Sequence, residues 1–192
     1  MQDHDVIAEA HGTTRPARPP RIETERLVLR EMVLDDAPAI QEIFSDFAVT
    51  RWLSLVPHPY PEGEAIRYVE ACAGFYVWAI EARDRPGLIG MVGIDSPEDE
   101  RALGYWVGRS HWGLGVASEA SEAAVRFAFE DMAADQVVSG VFEGNEASIR
   151  IQEKLGFRVI GERMLHSFSN NREMLHIDTA LSRAEWQMRA RG

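Results

Sequence analysis

The stretch that most constrains this chain runs from Leu103 to Glu122, LGYWVGRSHWGLGVASEASE. Its opening run, Leu103-Gly104-Tyr105-Trp106-Val107, predicts a strand. A glycine-punctuated turn, Trp112-Gly113-Leu114-Gly115-Val116-Ala117, follows and opens a helix near Ser118. The first N–H groups of a helix lack intrahelical acceptors and lie at the positive end of its dipole. Gly113 and Gly115 carry no β-carbon, so a bulky anion can approach the backbone and the turn can take positive φ. No lysine follows the glycines, so the amides themselves must hold the anion, which reads as a phosphate site.

Three phosphate-binding signatures can be set against this turn. A P-loop needs Gly-Lys-Ser/Thr, and the only lysine is Lys154. A dinucleotide fingerprint needs glycine or alanine in last place, where Ser118 stands; Asp135 lies roughly 20 residues on, as that fingerprint's acid would, so this reading stays as an alternative. The third is the Q/R-x-x-G-x-G/A pyrophosphate turn of the GNAT superfamily of N-acetyltransferases. Trp112 to Ala117 resembles it, with tryptophan in first place. The phrase GYW…WGxGxASEA is similar to the branch of ribosomal-protein N-terminal acetyltransferases, as is the opening TERLxLR at Thr24 to Arg30.

Composition bounds the function. At 192 residues, 21.6 kDa and 45% hydrophobic residues, one domain over residues 21–192 is expected, preceded by a flexible arm over 1–20. That arm is rich in proline and arginine and has no helical or strand period. Net charge is −11 and pI about 5.0, the opposite of a nucleic-acid footprint and favourable to a cationic partner such as an amine. Cys72 is alone, so no internal disulfide forms and a cytoplasmic location is expected. No apolar run approaches a membrane span. A monomer or homodimer is expected.

Along the chain, Ile22 to Arg30 reads as a strand. Asp35 or Asp36 caps a helix with Pro38 in its first turn and Ile40, Ile43, Phe44 and Phe47 on one face. The loop from Arg51 to Tyr60 is too proline-rich for a regular element, and its Trp52, His58 and Tyr60 are candidate acceptor contacts. A helix over 62–73 turns Ile66, Val69 and Ala73 inward. Strands 76–81 and 88–95 form a hairpin about Asp84-Arg85-Pro86-Gly87, and together with the Leu103 strand lie antiparallel. Ala117, Ala120, Ala124, Phe127 and Ala128 make a small-residue helical face. Strand 136–142, helix 145–155 closed by Gly156, strands 157–168 and 173–181 about Ser169-Asn170-Asn171, and a terminal helix 184–191 complete the pattern.

A second phrase supports the first. Asn145-Glu146-Ala147-Ser148 followed by Glu153-Lys154-Leu155-Gly156-Phe157 resembles the N-x-x-S-x-x-x-x-E-K-x-G-F phrase that closes the cofactor site in the same superfamily. The resemblance covers Arg21 to about Leu181. It implies an α+β, GNAT-like single domain: a central, mostly antiparallel, splayed sheet of about seven strands flanked by helices, with acetyl-coenzyme A in the splay. Val107 to Arg109 would pair with the pantetheine arm like an added strand. Trp112, Gly113, Leu114, Gly115, Val116, Ala117 and Ser118 would receive the diphosphate. Asn145, also a natural helix N-cap, would close the site with Ser148.

The resemblance also implies direct transfer to an amine, a protein N-terminus or a small molecule, with Ser148 near the cofactor sulfur as acid. The tyrosine that fills this role in other branches is replaced by Gln152. Where relatives carry a glutamate before Gly-Tyr-Trp, this chain has Ala102. Glu100 lies on the same strand face by the period of two and is the first candidate base, ahead of Asp95 and Glu143. Histidines and the single cysteine show no zinc spacing, so no metal is expected; His166 and His176 could face each other across the last hairpin, but as a weak metal site. The rival from another class is a coenzyme-binding module that has lost catalysis.

Overall fold

The computed structural model describes residues 18–95 and 101–189. Its strands are β1 (Ile22–Glu23), β2 (Leu27–Glu31), β3 (Tyr76–Ala82), β4 (Arg85–Asp95), β5 (Arg101–Val107), β6 (Gln136–Phe142), β7 (Arg158–Ser167) and β8 (Arg172–Ser182), in one sheet of order β1-β2-β3-β4-β5-β6-β8-β7. All neighbours are antiparallel except β5 and β6. That parallel pair is short: only Arg101 with Val137 and Ala102 with Val138 stand in register. Beyond Ala102 the two strands part, leaving two half-sheets joined at one end. The mixed α/β architecture with an open, mostly antiparallel sheet is the one expected, the two-residue β1 being the eighth strand.

The helices are α1 (Ala37–Phe44), α2 (Phe47–Thr50), α3 (Glu64–Cys72), α4 (Val116–Glu130), α5 (Glu146–Leu155) and α6 (Arg183–Arg189). Because strand side chains alternate, Trp78, Ile80, Val92, Ile94 and Leu103 share one face and pack against α4. Ala120, Ala124 and Ala128 of α4 are fully buried there, and methyl side chains one turn apart let the helix backbone approach the sheet closely. The opposite face carries Ala79 and Trp106 against Ile40 and Phe44 of α1 and Ala65 and Val69 of α3. Each fully buried Leu, Ile or Phe contributes about 1.5–3 kcal/mol, so both faces of β3 to β5 are pinned where the splay begins.

Four local expectations are corrected. Asp36 precedes α1 but makes no side-chain cap bond; its carboxylate instead accepts from Arg30 Nη2 (2.6 Å) and from the Val33 N–H (2.9 Å). The first helix ends at Phe44, Asp46 caps the short α2 by accepting from the Ala48 N–H at 2.8 Å, and Phe47 is exposed. On α3 the buried positions are Ala65 and Val69, while Ile66 is half exposed. The β3–β4 hairpin turns at Arg83-Asp84, since Ala82 pairs with Arg85, so Pro86 and Gly87 belong to β4. Of the arm, residues 1–17 lie outside the described residues. Pro19 is buried, and the Pro20 carbonyl accepts the Trp78 indole N–H at 2.7 Å.

Candidate active site

The glycine turn has the predicted build. Gly113 and Gly115 both have positive φ, +73° and +80°, and α4 starts at Val116, two residues before Ser118. The first main-chain bond of the helix is Glu119 N–H to the Gly115 carbonyl, 3.0 Å. The N–H groups of Val116, Ala117 and Ser118 therefore precede any intrahelical acceptor and can receive an anion. Trp112 braces the turn from within: its indole N–H donates to the Val107 carbonyl at 2.7 Å.

An anchor invisible in the sequence joins this turn to the edge of the sheet. Glu119, one residue past the free amides, accepts from the Thr24 hydroxyl (2.6 Å), the Arg26 N–H (2.8 Å) and Arg26 Nε (2.7 Å). Arg26 Nη1 also donates to the Leu114 carbonyl at 2.8 Å. Burial pushes the Glu119 carboxyl up, but the bonds from Thr24 and Arg26 outweigh it and hold it below its ordinary value. The threonine and first arginine of the opening phrase thus fix the helix start. Its second arginine, Arg30, pairs with Asp36 at 2.6 Å and Glu81 at 2.8 Å.

Across the splay, side chains bridge where main chains cannot. The Ser139 hydroxyl donates to the Leu103 carbonyl (2.9 Å), Gln152 Nε2 donates to the Ser139 hydroxyl (2.9 Å), and the Thr179 hydroxyl donates to Gln152 Oε1 (2.7 Å). Gln152, where other branches carry tyrosine, is buried and fastens α5 to β6 and β8. A phenol arrives from β5 instead: the Tyr105 hydroxyl donates to the Ser148 carbonyl at 3.4 Å. Burial raises the Tyr105 phenol despite bonds to Ser148 and Gln152, which keeps it a donor at neutral pH. Leu103 and Val107 both turn their carbonyls away from β4, so by alternation the N–H groups of Tyr105 and Val107 face the splay.

These elements line one cavity of about 1060 Å³. The glycine turn contributes Trp112, Gly113, Gly115, Val116, Ala117 and Ser118. Tyr105 to Val107, Asn145 and Ser148 line it beside the splay, and Trp52, Leu53, Val77 and Met91 are also in its wall. Its lining includes Arg150, Lys154, His111 and His176 but, among the described residues, no aspartate or glutamate. A crevice without acids in a chain of net charge −11 is suited to an anionic ligand. Asn145 caps α5, its Oδ1 accepting from the Ser148 N–H at 3.3 Å.

Other sequence candidates fall elsewhere. Arg109 faces Asp46 at 3.6 Å and does not line the cavity; Leu114 is exposed and contributes its carbonyl to Arg26. Of the three acceptor candidates on the aromatic loop, Trp52 lines the cavity, whereas His58 and Tyr60 do not. Tyr60 packs edge-on to Phe44 at 5.0 Å in the core, and His58 lies 5.0 Å from the Phe47 ring with Nδ1 3.4 Å from the Thr50 hydroxyl. Glu100 lies outside the described residues. Asp95 ends β4 opposite Ala102, and Glu143 is exposed. His166 pairs in register with Glu173 and His176 with Arg163, so the two histidines do not face each other. No cluster of three or more metal-ligating side chains occurs among the described residues, and no helix among them is long and apolar enough to cross a membrane.

An open, mostly antiparallel sheet with free helix-start amides beside its splay is a fold class used for acyl transfer. Residues 26–158 match the acetyltransferase (GNAT) domain, and the chain belongs to that family. It is 34% identical over 160 residues to the uncharacterized N-acetyltransferase YoaA of Bacillus subtilis, covering 79% of this chain and 90% of that one. Its fold is similar to that of a GNAT-family acetyltransferase from Bacillus anthracis, with TM-score 0.76 and 21% identity, covering 86% of this chain and 100% of that one. It is also similar in fold to RimL, a ribosomal L7/L12 α-N-protein acetyltransferase solved in complex with coenzyme A, with TM-score 0.73 and 17% identity, covering 85% and 98%.

Proposed function

We propose that this chain transfers an acetyl group from acetyl-coenzyme A to a primary amine, in a ternary complex without an acyl-enzyme. The observation that carries this reading is the single cavity running from the glycine turn, past the splay, to an apolar chamber. The amides of Val116, Ala117 and Ser118 would receive the diphosphate, with Arg150 and Lys154 supplying positive charge. The Val107 N–H, facing the splay, would bind the pantetheine arm and polarise the thioester carbonyl as its oxyanion forms. Ser148 and Tyr105 bring hydroxyl groups to the middle of the crevice, where the departing thiolate needs a proton. Burial pushes the Cys72 thiol up to about 12, which opposes a covalent cysteine route.

The acceptor end is walled by Val49, Trp52, Leu53, Val77 and Met91. That lining favours an amine carried next to an apolar or aromatic group, on either a peptide N-terminus or a small molecule. Thiol release measured with acetyl-coenzyme A over a panel of such amines tests the reading. Amine-dependent release is expected. Tight coenzyme binding with no turnover on any amine would replace it with the binding-module alternative.

A further inference from the structure

An amine enters as an ammonium ion and needs a base, yet no carboxylate lines the cavity among the described residues. Its lining titratable groups are few. The Tyr68, Tyr105 and Cys72 protons are held more tightly by burial, and Arg150 and Lys154 are cations. His111 meets the Ser110 hydroxyl at 3.0 Å and directly precedes Trp112 of the glycine turn.

His176 differs. On β8, Thr179 faces α5 through its bond to Gln152, so His176, three residues earlier, faces the opposite side, as does Asp178. His176 lines the same cavity as Trp52, whose ring edge lies near Gly144, just past β6: a β-carbon placed on that glycine would stand 3.8 Å from Trp52 Cη2. The imidazole lies over Gly140: a β-carbon there would fall within contact distance of Cε1, Nε2 and Nδ1. Phe142 meets the ring edge-on at 5.5 Å. Nδ1 lies 2.9 Å from Asp178 Oδ1, and Arg163 of β7 holds the same carboxylate at 3.1 Å. The facing β6 residues, Gly140 and Phe142, bring no charge. In the tautomer whose Nδ1–H donates to Asp178 Oδ1, the Nε2 lone pair is free.

We infer that His176, oriented by Asp178, is the base that takes the proton from the acceptor ammonium. This rests on the amine acetyltransferase reading above. One ammonium proton passes to Nε2, and the freed nitrogen pair forms the C–N bond. The C–S bond breaks with its pair on sulfur, and the new amide nitrogen loses a second proton. One of the two protons ends on the coenzyme thiol and one in solvent, so R–NH3+ and acetyl-coenzyme A give the N-acetyl amide, coenzyme A and a proton.

The test is steady-state kinetics from acid to alkaline pH for the full-length wild type, His176→Gln, Asp178→Asn and Glu100→Gln, alongside coenzyme A binding by thermal shift. His176→Gln is expected to lower kcat by about 10²–10⁴-fold and to lose the acid limb of the rate profile, while coenzyme A still raises its melting temperature as in wild type. Asp178→Asn, a positioning change, is expected to lower kcat by about tenfold with a displaced acid limb, and added imidazole to restore part of the rate to His176→Ala. A wild-type acid limb that survives in His176→Gln, or vanishes in Glu100→Gln instead, overturns the assignment while leaving the acetyltransferase reading intact. A wild type that binds coenzyme A but acetylates no amine removes that reading, and the assignment with it.

Discussion

The bond cluster at Glu119 gives a quantitative prediction for Glu119→Gln. The glutamine oxygen can still accept from the Thr24 hydroxyl and the Arg26 N–H, but its amide N–H groups would confront the Arg26 guanidinium now held at 2.7 Å. What is lost is one charge-assisted pair, worth about 1.5–3 kcal/mol when shielded from water. The Arg26 side chain is 53% exposed and that of Glu119 18%, so solvent screening brings the expected cost to about 1–2 kcal/mol. For a domain of this size that is a drop of about 2–8 °C in Tm. The pH dependence has a fixed sign. Burial raises the carboxyl, the bonds from Thr24 and Arg26 outweigh it, and the net value is depressed. Its stabilisation is therefore present at neutral pH, above the unfolded-state value, and lost as pH falls through the depressed folded value. Thermal unfolding of both proteins from neutral to acid pH should show the gap closing in acid, and Arg26→Gln combined with Glu119→Gln should cost less than the sum of the two. Identical melting at neutral pH, or a gap that persists into acid, refutes the argument.

Three further outcomes are expected. Gly115→Ala must place an L side chain at φ +80° with its β-carbon 3.0 Å from Arg26 Nη2; strain of about 1–2 kcal/mol and a displaced guanidinium should weaken coenzyme A binding about tenfold or more by calorimetry, and unchanged affinity would speak against the turn as the diphosphate site. Tyr68→Phe strands the buried Trp106 indole N–H, which now donates to the Tyr68 hydroxyl at 2.9 Å. A cost of about 1–3 kcal/mol should appear in denaturant unfolding, and a variant as stable as wild type would contradict it. Cys72, its thiol pushed up by burial to about 12, should react with iodoacetamide at pH 8 at least about a hundredfold more slowly than free cysteine, with mass spectrometry as the readout.

What the sequence discloses follows from the range over which its physics acts. The strand, the positive-φ glycines and the helix start are local, and turn chemistry with helix-end electrostatics made them readable, the helix to within the two residues that separate Val116 from Ser118. So were Asn145 and Gly156, which bracket α5 as N-cap and left-handed C-cap. The helix faces were less legible, because a period of 3.6 does not say where a helix stops. Phe47 continued the α1 pattern, yet Asp46 offered the Ala48 N–H a better partner than continued helix could, and the chain turned Phe47 outward. Least legible were pairings between distant elements. Thr24, Arg26 and Glu119 lie in two separate phrases, and only the fold brings them within bonding distance. His176 and Asp178 are two apart on a strand, an unremarkable spacing in sequence. Their meaning comes from Gly140 on the neighbouring strand, whose missing side chain makes room for the imidazole, and from a crevice with no described carboxylate to compete with it. With Ala102 in place of a carboxylate, the period of two along β5 points to Glu100. Glu100 lies outside the described residues, and among the described ones the splay sets the far half-sheet beside the cavity, so that His176 of β8 joins its lining.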